Sequence, residues 1–211
     1  MPLKKIIKYL LLLAIVVLLG YKSIYFKKLS DVQKNGKQKF DAAAFAQKLW
    51  DEKMPAKIEE AVELATLIHA IETKPSDAFS KYSNAMSIGN YRYSLVKAEG
   101  IVSAINEDEV IMQVSHADSL MPVKIATEYV YGNAIRDASA LLDIKDFTNT
   151  ADLNSISEAF NKTVRTTVLP GFKKQVKKDD KIEVIGAVEI NKEHIKLNGL
   201  ELIPLRLKIL P

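Results

Sequence analysis

At 211 residues, with 48% hydrophobic and 27% charged side chains, the chain has ordinary globular composition with room for one or two small domains, which excludes a disordered, collagen-like or polytopic membrane protein. Its formal charge of +4 sits wholly at the front: residues 1–28 hold six lysines and no acid, leaving 24 basic and 26 acidic residues beyond them. The remainder lacks the concentrated positive field that a phosphate backbone requires, so nucleic acid is not expected as a partner. Cysteine is absent, which removes thiol nucleophiles, disulfides, cysteine zinc sites and cysteine lipidation from the chemistry these residues can carry.

Residues 1–26, MPLKKIIKYLLLLAIVVLLGYKSIYF, put a lysine-rich start before an apolar run. The run between Lys8 and Lys22 has 13 residues, about 20 Å of helix at roughly 1.5 Å per residue, short of the ~30 Å hydrocarbon core. Counting Ile6 to Phe26, with Lys8 and Lys22 snorkelling outward, gives 21 residues and a sufficient span. Tyr9, Tyr21 and Tyr25 then mark the interfaces. No small-x-small cleavage site follows, because Leu18 stands two residues before Gly20 and Tyr21 two before Ser23. The expectation is an uncleaved signal-anchor, with membrane contact through residues 6–26 as a single-pass inner-membrane helix. Lys22, Lys27, Lys28, Lys34, Lys37 and Lys39 pull against the positive-inside rule. A domain facing the periplasm is still expected, since the opposite topology moves the amino terminus and three lysines across the membrane. Residues 27–39, KKLSDVQKNGKQK, are polar without an apolar period and read as a tether.

Residues 40–88 read as a helical subdomain. Asp41 caps a helix whose Phe45, Leu49 and Trp50 share a face and which Pro55 ends. Ile58, Ala61, Val62, Ala65, Ile68 and Ile71 keep helical spacing up to Pro75. Ser76 or Asp77 caps a third helix bearing Phe79, Tyr82 and Met86, closed near Gly89.

Residues 89–211 change period. Tyr91, Tyr93 and Leu95 alternate with Arg92 and Ser94, so a long strand runs to Ile105, turns at Asn106-Glu107-Asp108 and returns through residues 110–114. Residues 121–131 read as a third strand, with helices over Asn133 to about Asp143 and Ala151 to Val168, the second ended by Pro170-Gly171. Lys181–Ile190, His194–Leu197 and Leu200–Ile209 supply further strands, with Asn198-Gly199 as a hairpin turn. The fold class expected is α+β: an N-terminal membrane helix, a small helical layer, then an OB-like curved sheet or partly open barrel with inserted helices. Gly100 and Gly186 are its bends, where a side chain would clash.

Little in the chain announces catalysis. His69, His116 and His194 have no second ligand at metal spacing, so neither metal nor cofactor is expected. Glu107-Asp108-Glu109 reads as solvated turn charge, and Trp50 as core. Tyr91 and Tyr93, like Tyr129 and Tyr131, fall as i, i+2 pairs on one strand face. Each pair either stacks on a sugar ring or, the preferred reading, packs against the helical layer. Gly132-Asn133-Ala134-Ile135-Arg136-Asp137-Ala138 stands apart: it follows a strand and opens a helix, with Asn133 at the helix start. Either Arg136 and free backbone N–H groups hold an anion or ligand hydroxyl, or Arg136 pairs with a carboxylate and locks helix to sheet. The second is preferred, because an arginine in the first turn opposes the helix dipole and needs an acceptor. The ligand-binding candidates are therefore Asn133, Arg136, Asp137, Tyr91 and Tyr93, with no catalytic residue assigned.

The GNAIRDA segment is followed by Phe147-x-Asn149 and by Asn161 and Val164, and is preceded by Gly89-x-Tyr91-x-Tyr93. Together with Gly186-Ala187 and Ile203-Pro204, it resembles a bacterial domain-of-unknown-function family of predicted periplasmic lipoproteins, over about residues 40–211. The resemblance implies a helical part followed by an OB-like part, and genes that lie beside sugar ABC transporters. It therefore implies an envelope protein accessory to sugar uptake, with an ABC transporter component as partner and no established activity. This chain lacks the lipidated cysteine, which makes the uncleaved helix the substitute anchor. The function expected is a non-enzymatic, membrane-anchored periplasmic accessory protein binding a transporter partner or a small polar ligand. The alternative is an envelope hydrolase acting on a sugar or glycan through Asp137 or another loop carboxylate, which needs a second carboxylate that the sequence does not identify.

Overall fold

The structure, a computed structural model, describes residues 3–23 and 40–211, in two units, Met1–Phe40 and Asp41–Pro211. The first contains helix α1, Leu3–Ser23, whose leucines, isoleucine and valines between Leu10 and Leu19 are all exposed. Among the described residues no helix is long and apolar enough to cross a membrane, so the spanning helix expected through residues 6–26 is not present there. The physical limit is the short apolar run between Lys8 and Lys22. The last residues of that segment, 24–26, and the tether, 27–39, lie outside the described residues.

In the second unit Asp41 opens α2, Ala42–Glu52, its Oδ1 accepting from the Ala44 N–H at 3.0 Å. Pro55 does not only end that helix; it occupies the first turn of α3, Met54–Glu59, where a missing N–H removes no hydrogen bond. The apolar spacing up to Pro75 is likewise not one helix. Val62–Glu63 is extended as β1 and α4 spans Leu64–Thr73. Val62 packs against the barrel core from extended backbone, so the spacing survives a break in conformation. Pro75 begins α5, Pro75–Tyr82, and Met86 lies beyond its end.

Five longer strands follow: β2, Tyr91–Ile105; β3, Glu109–His116; β4, Ser119–Ala126; β5, Lys181–Asn191; and β6, Glu201–Ile209. Their order is β1-β2-β3-β4-β6-β5, and β5 pairs back onto β2, which closes β2 to β6 into a barrel with β1 as an added parallel edge. Closure uses one short parallel pairing, Lys124↔Glu201 and Ile125↔Leu202, between β4 and β6. The bends fall near the expected glycines. A Cβ on Gly186 would lie 2.8 Å from the Ile203 carbonyl oxygen, beside a register shift between Ile185 and Gly186.

Alternation along the strands divides the apolar residues into two layers. Val96, Ala98, Val102, Met112, Ile125, Val184 and Leu202 fill one core together with Leu67, Ile68 and Ile71 of α4. Tyr93, Leu95, Ala187 and Leu205 belong to another, under Ala46, Met54, Ile135 and Phe160 of the helices. Trp50 packs here as expected, its ring centroid 5.9 Å from that of Phe160.

The insertion between β4 and β5 differs most from expectation. The third strand stops at Ala126, so Tyr129 and Tyr131 are exposed residues of an irregular segment and not a pair on a strand face. Helix α6 is only Ala134–Ser139, closed by Ala140 in the left-handed region at φ 50°. Helix α7, Thr150–Thr163, passes through a wider π turn at Val164–Val168 into α8, Leu169–Gln175, with Pro170 in the first turn of α8 and therefore no terminator. Residues 194–197 form no strand. Both edges of β6 are taken by β4 and β5, so a strand leading into Asn198-Gly199 has no edge of β6 left to pair with.

Candidate functional site

The Gly132–Ala138 motif is built around one buried carboxylate. Gly132, at φ 80°, turns the chain after the irregular segment. Asp137 is 0% exposed. Its Oδ1 accepts from Arg136 Nε–H at 2.7 Å and its Oδ2 from the Asn133 side-chain amide at 2.9 Å. The Asp137 backbone carbonyl accepts from the Asn84 side chain at 2.8 Å, and Asn84 exchanges two backbone hydrogen bonds with Tyr93 of β2. Helix α6 is thus fastened to the sheet through Asn84, while Arg136 pairs with its own sequence neighbour. On the other side, the Asn161 side-chain amide of α7 donates to the Gly132 carbonyl at 2.8 Å.

Arg136 faces two ways. Its side chain is 8% exposed, and with Nε committed to Asp137, Nη1 and Nη2 have no hydrogen-bond partner among the described residues. It lines a pocket of about 460 Å³ together with Gly132, Asn133, Asn154, Ser157, Glu158 and Asn161. Glu158 is ion-paired with Arg165, which also donates to the Val130 carbonyl and lies over the Tyr131 ring. That cation fastens α7 to the segment leading into Gly132.

Of the residues singled out from the sequence, Asn133 and Arg136 line this pocket and Asp137 does not. Asp137 is fully buried, with each carboxylate oxygen accepting one hydrogen bond. Tyr93 is buried in the helix–sheet layer and is no stacking platform. Burial first, then the Glu189 carboxylate, pushes its phenol up to about 12, with Asn133 also within hydrogen-bonding reach of the hydroxyl. Tyr91 is half-exposed at the start of β2 and contributes nothing to the pocket. Asn154 and Ser157 are additions from the structure. With Glu158 and Asn161 they recur at helical spacing on one face of α7, a polar stripe beside the apolar one that defined the helix. Among the described residues no group of three or more His, Asp and Glu is arranged to hold a metal, and His116 instead meets Glu72 at 3.3 Å.

The family model described as "Predicted periplasmic lipoprotein (DUF2291)" matches residues 14–208. The chain belongs to this family. DUF2291 membership puts the protein in the cell envelope, in a family of unknown function, and the matched range includes the whole pocket. No protein of curated function matches the chain. Among solved structures, this DUF2291 chain is similar to an OB-fold protein from Thermotoga maritima, with a TM-score of 0.72 and 23% identity over 82% of this chain and 100% of that one. At that identity the likeness establishes the fold, which agrees with the closed five-stranded barrel.

Proposed function

We propose that this DUF2291 protein is a non-enzymatic accessory protein of the envelope, anchored in the inner membrane by α1 with its barrel unit in the periplasm. It assists sugar uptake by binding a transporter component or a small polar ligand. The observation that carries the binding reading is Arg136: a nearly buried side chain that lines a polar pocket while Asp137 holds its Nε. The same geometry disfavours the hydrolase alternative. Asp137 is fully buried with each oxygen accepting one hydrogen bond, and Glu158 is ion-paired, so no pair of carboxylates stands ready for acid–base chemistry.

Two features support the anchor reading: the exposed apolar side chains of α1 and the absence of any cysteine in these residues to carry a lipid. Ile24, Tyr25 and Phe26 continue the apolar sequence beyond Lys22. The link to sugar uptake rests on the resemblance carried by the Gly132–Ala138 motif. In the native strain, deletion of the gene is expected to lower uptake of labelled monosaccharides. The intact chain restores uptake, and a chain without residues 1–39 does not. Unchanged uptake across the sugars overturns the accessory role, and release of the intact chain from membranes by alkaline carbonate overturns the anchor.

A further inference from the structure

Resting on that binding reading, we infer that the Arg136 pocket takes a small hydroxycarboxylate, a monoanion bearing hydroxyl groups. Once Nε is spent on Asp137, a guanidinium retains a flat edge of N–H donors on Nη1 and Nη2. That edge matches two coplanar acceptor oxygens, the geometry of a carboxylate. The Arg136 side chain is 8% exposed, yet its terminal nitrogens are not among the buried unpartnered side-chain atoms of the described residues, so they are open to an incoming acceptor.

The rest of the lining selects hydroxyls. Asn154 makes no side-chain hydrogen bond among the described residues, Asn161 uses its amide N–H and leaves Oδ1 to accept, and Ser157 gives its proton to the Leu153 carbonyl and keeps oxygen lone pairs. No apolar or aromatic side chain lines the pocket, so nothing there would hold an apolar ligand. Charge decides between anions. Arg136 is offset by Asp137 and Arg165 by Glu158, so the site is balanced before binding. One free guanidinium edge suits a monoanion, whereas a phosphate dianion would face the Glu158 carboxylate with no second free cation. The pocket's roughly 460 Å³ lies in the range of small-molecule sites.

The test is calorimetric titration of the full chain in detergent with sodium D-gluconate, D-glucose and inorganic phosphate. Gluconate is expected to bind with Kd below about 1 mM and the other two not measurably. Arg136→Lys, which keeps a cation for Asp137 but loses the flat edge, is expected to weaken gluconate by about tenfold or more. Since that variant touches a buried pair, Asn154→Glu provides the second arm: Asn154 is exposed, and a carboxylate there repels the ligand without entering the core. Tighter binding of phosphate than gluconate, or gluconate binding unaffected by Asn154→Glu, overturns the inference. Glucose binding that Asn154→Glu weakens, in the absence of gluconate binding, overturns the carboxylate and leaves the polar-ligand reading standing. Binding of none of the three overturns both, while the uptake experiment still judges the transporter role independently.

Discussion

Gly100 of β2 and Gln113 of β3 approach so closely that a Cβ on Gly100 would stand 2.5 Å from the Gln113 carbonyl oxygen. The neighbour is backbone in a paired strand and cannot swing aside. Gly100→Ala is therefore expected to cost about 1–3 kcal/mol, measured by urea unfolding. Gly89→Ala, where a Cβ meets nothing within 4 Å, serves as the control and should stay within about 0.5 kcal/mol of the parent. Equal stability of the two variants would mean that β2 and β3 do not curve together at this point.

Phe160 is fully buried under Trp50. Phe160→Ala opens a cavity between α2 and α7 and is expected to cost about 3–5 kcal/mol. Because Trp50 is the chain's single tryptophan, its emission should shift to the red in the folded variant. An unmoved emission maximum would place the indole elsewhere.

Tyr93 supplies a pH signature. Its phenol is pushed from 10.0 up to about 12 in the folded chain, so the folded state holds this proton more tightly than the unfolded state. The stability that this contributes is complete below pH 10 and is lost as the pH rises towards 12. Absorbance titration should show a late-ionising step from Tyr93, and Tyr93→Phe should abolish that step. If no late step appears, or Tyr93→Phe leaves it in place, the buried setting of Tyr93 is wrong.

The barrel was legible in the sequence where alternation and backbone demand coincided, as along Tyr91–Ile105 and at Gly100 and Gly186. The prolines were misleading because a proline that closes one helix is equally at home in the first turn of the next; Pro55, Pro75 and Pro170 all take that second position. The alternation of Tyr129 and Tyr131 suggested more strand than exists. Thr127 donates its N–H to the Asp108 carbonyl, and from there the chain leaves the ladder. At the pocket, Asn133, Arg136 and Asp137 were legible as a cluster because they are adjacent in sequence. Their division of labour was not, since which polar group faces inward depends on how α6 is set against β2. Asn154 and Ser157 were overshadowed by Leu153 and Ile156 of the same helix, whose apolar stripe dominates the pattern.

Asn133 gives an intermediate test of the motif. Asn133→Ala leaves Oδ2 of the buried Asp137 carboxylate without its amide donor, at an expected cost of about 1–3 kcal/mol. Asn133→Asp should be worse, because it sets a second carboxylate against Asp137. Chemical unfolding of the two variants checks both the size and the order.

Urea unfolding of Arg136→Ala measures most directly whether the Arg136–Asp137 pair supports the pocket wall. The substitution strands a carboxylate that is 0% exposed, and stability is expected to fall by about 3–5 kcal/mol. Unfolding that coincides with the parent would contradict the buried pair, and with it the pocket wall on which the binding site depends.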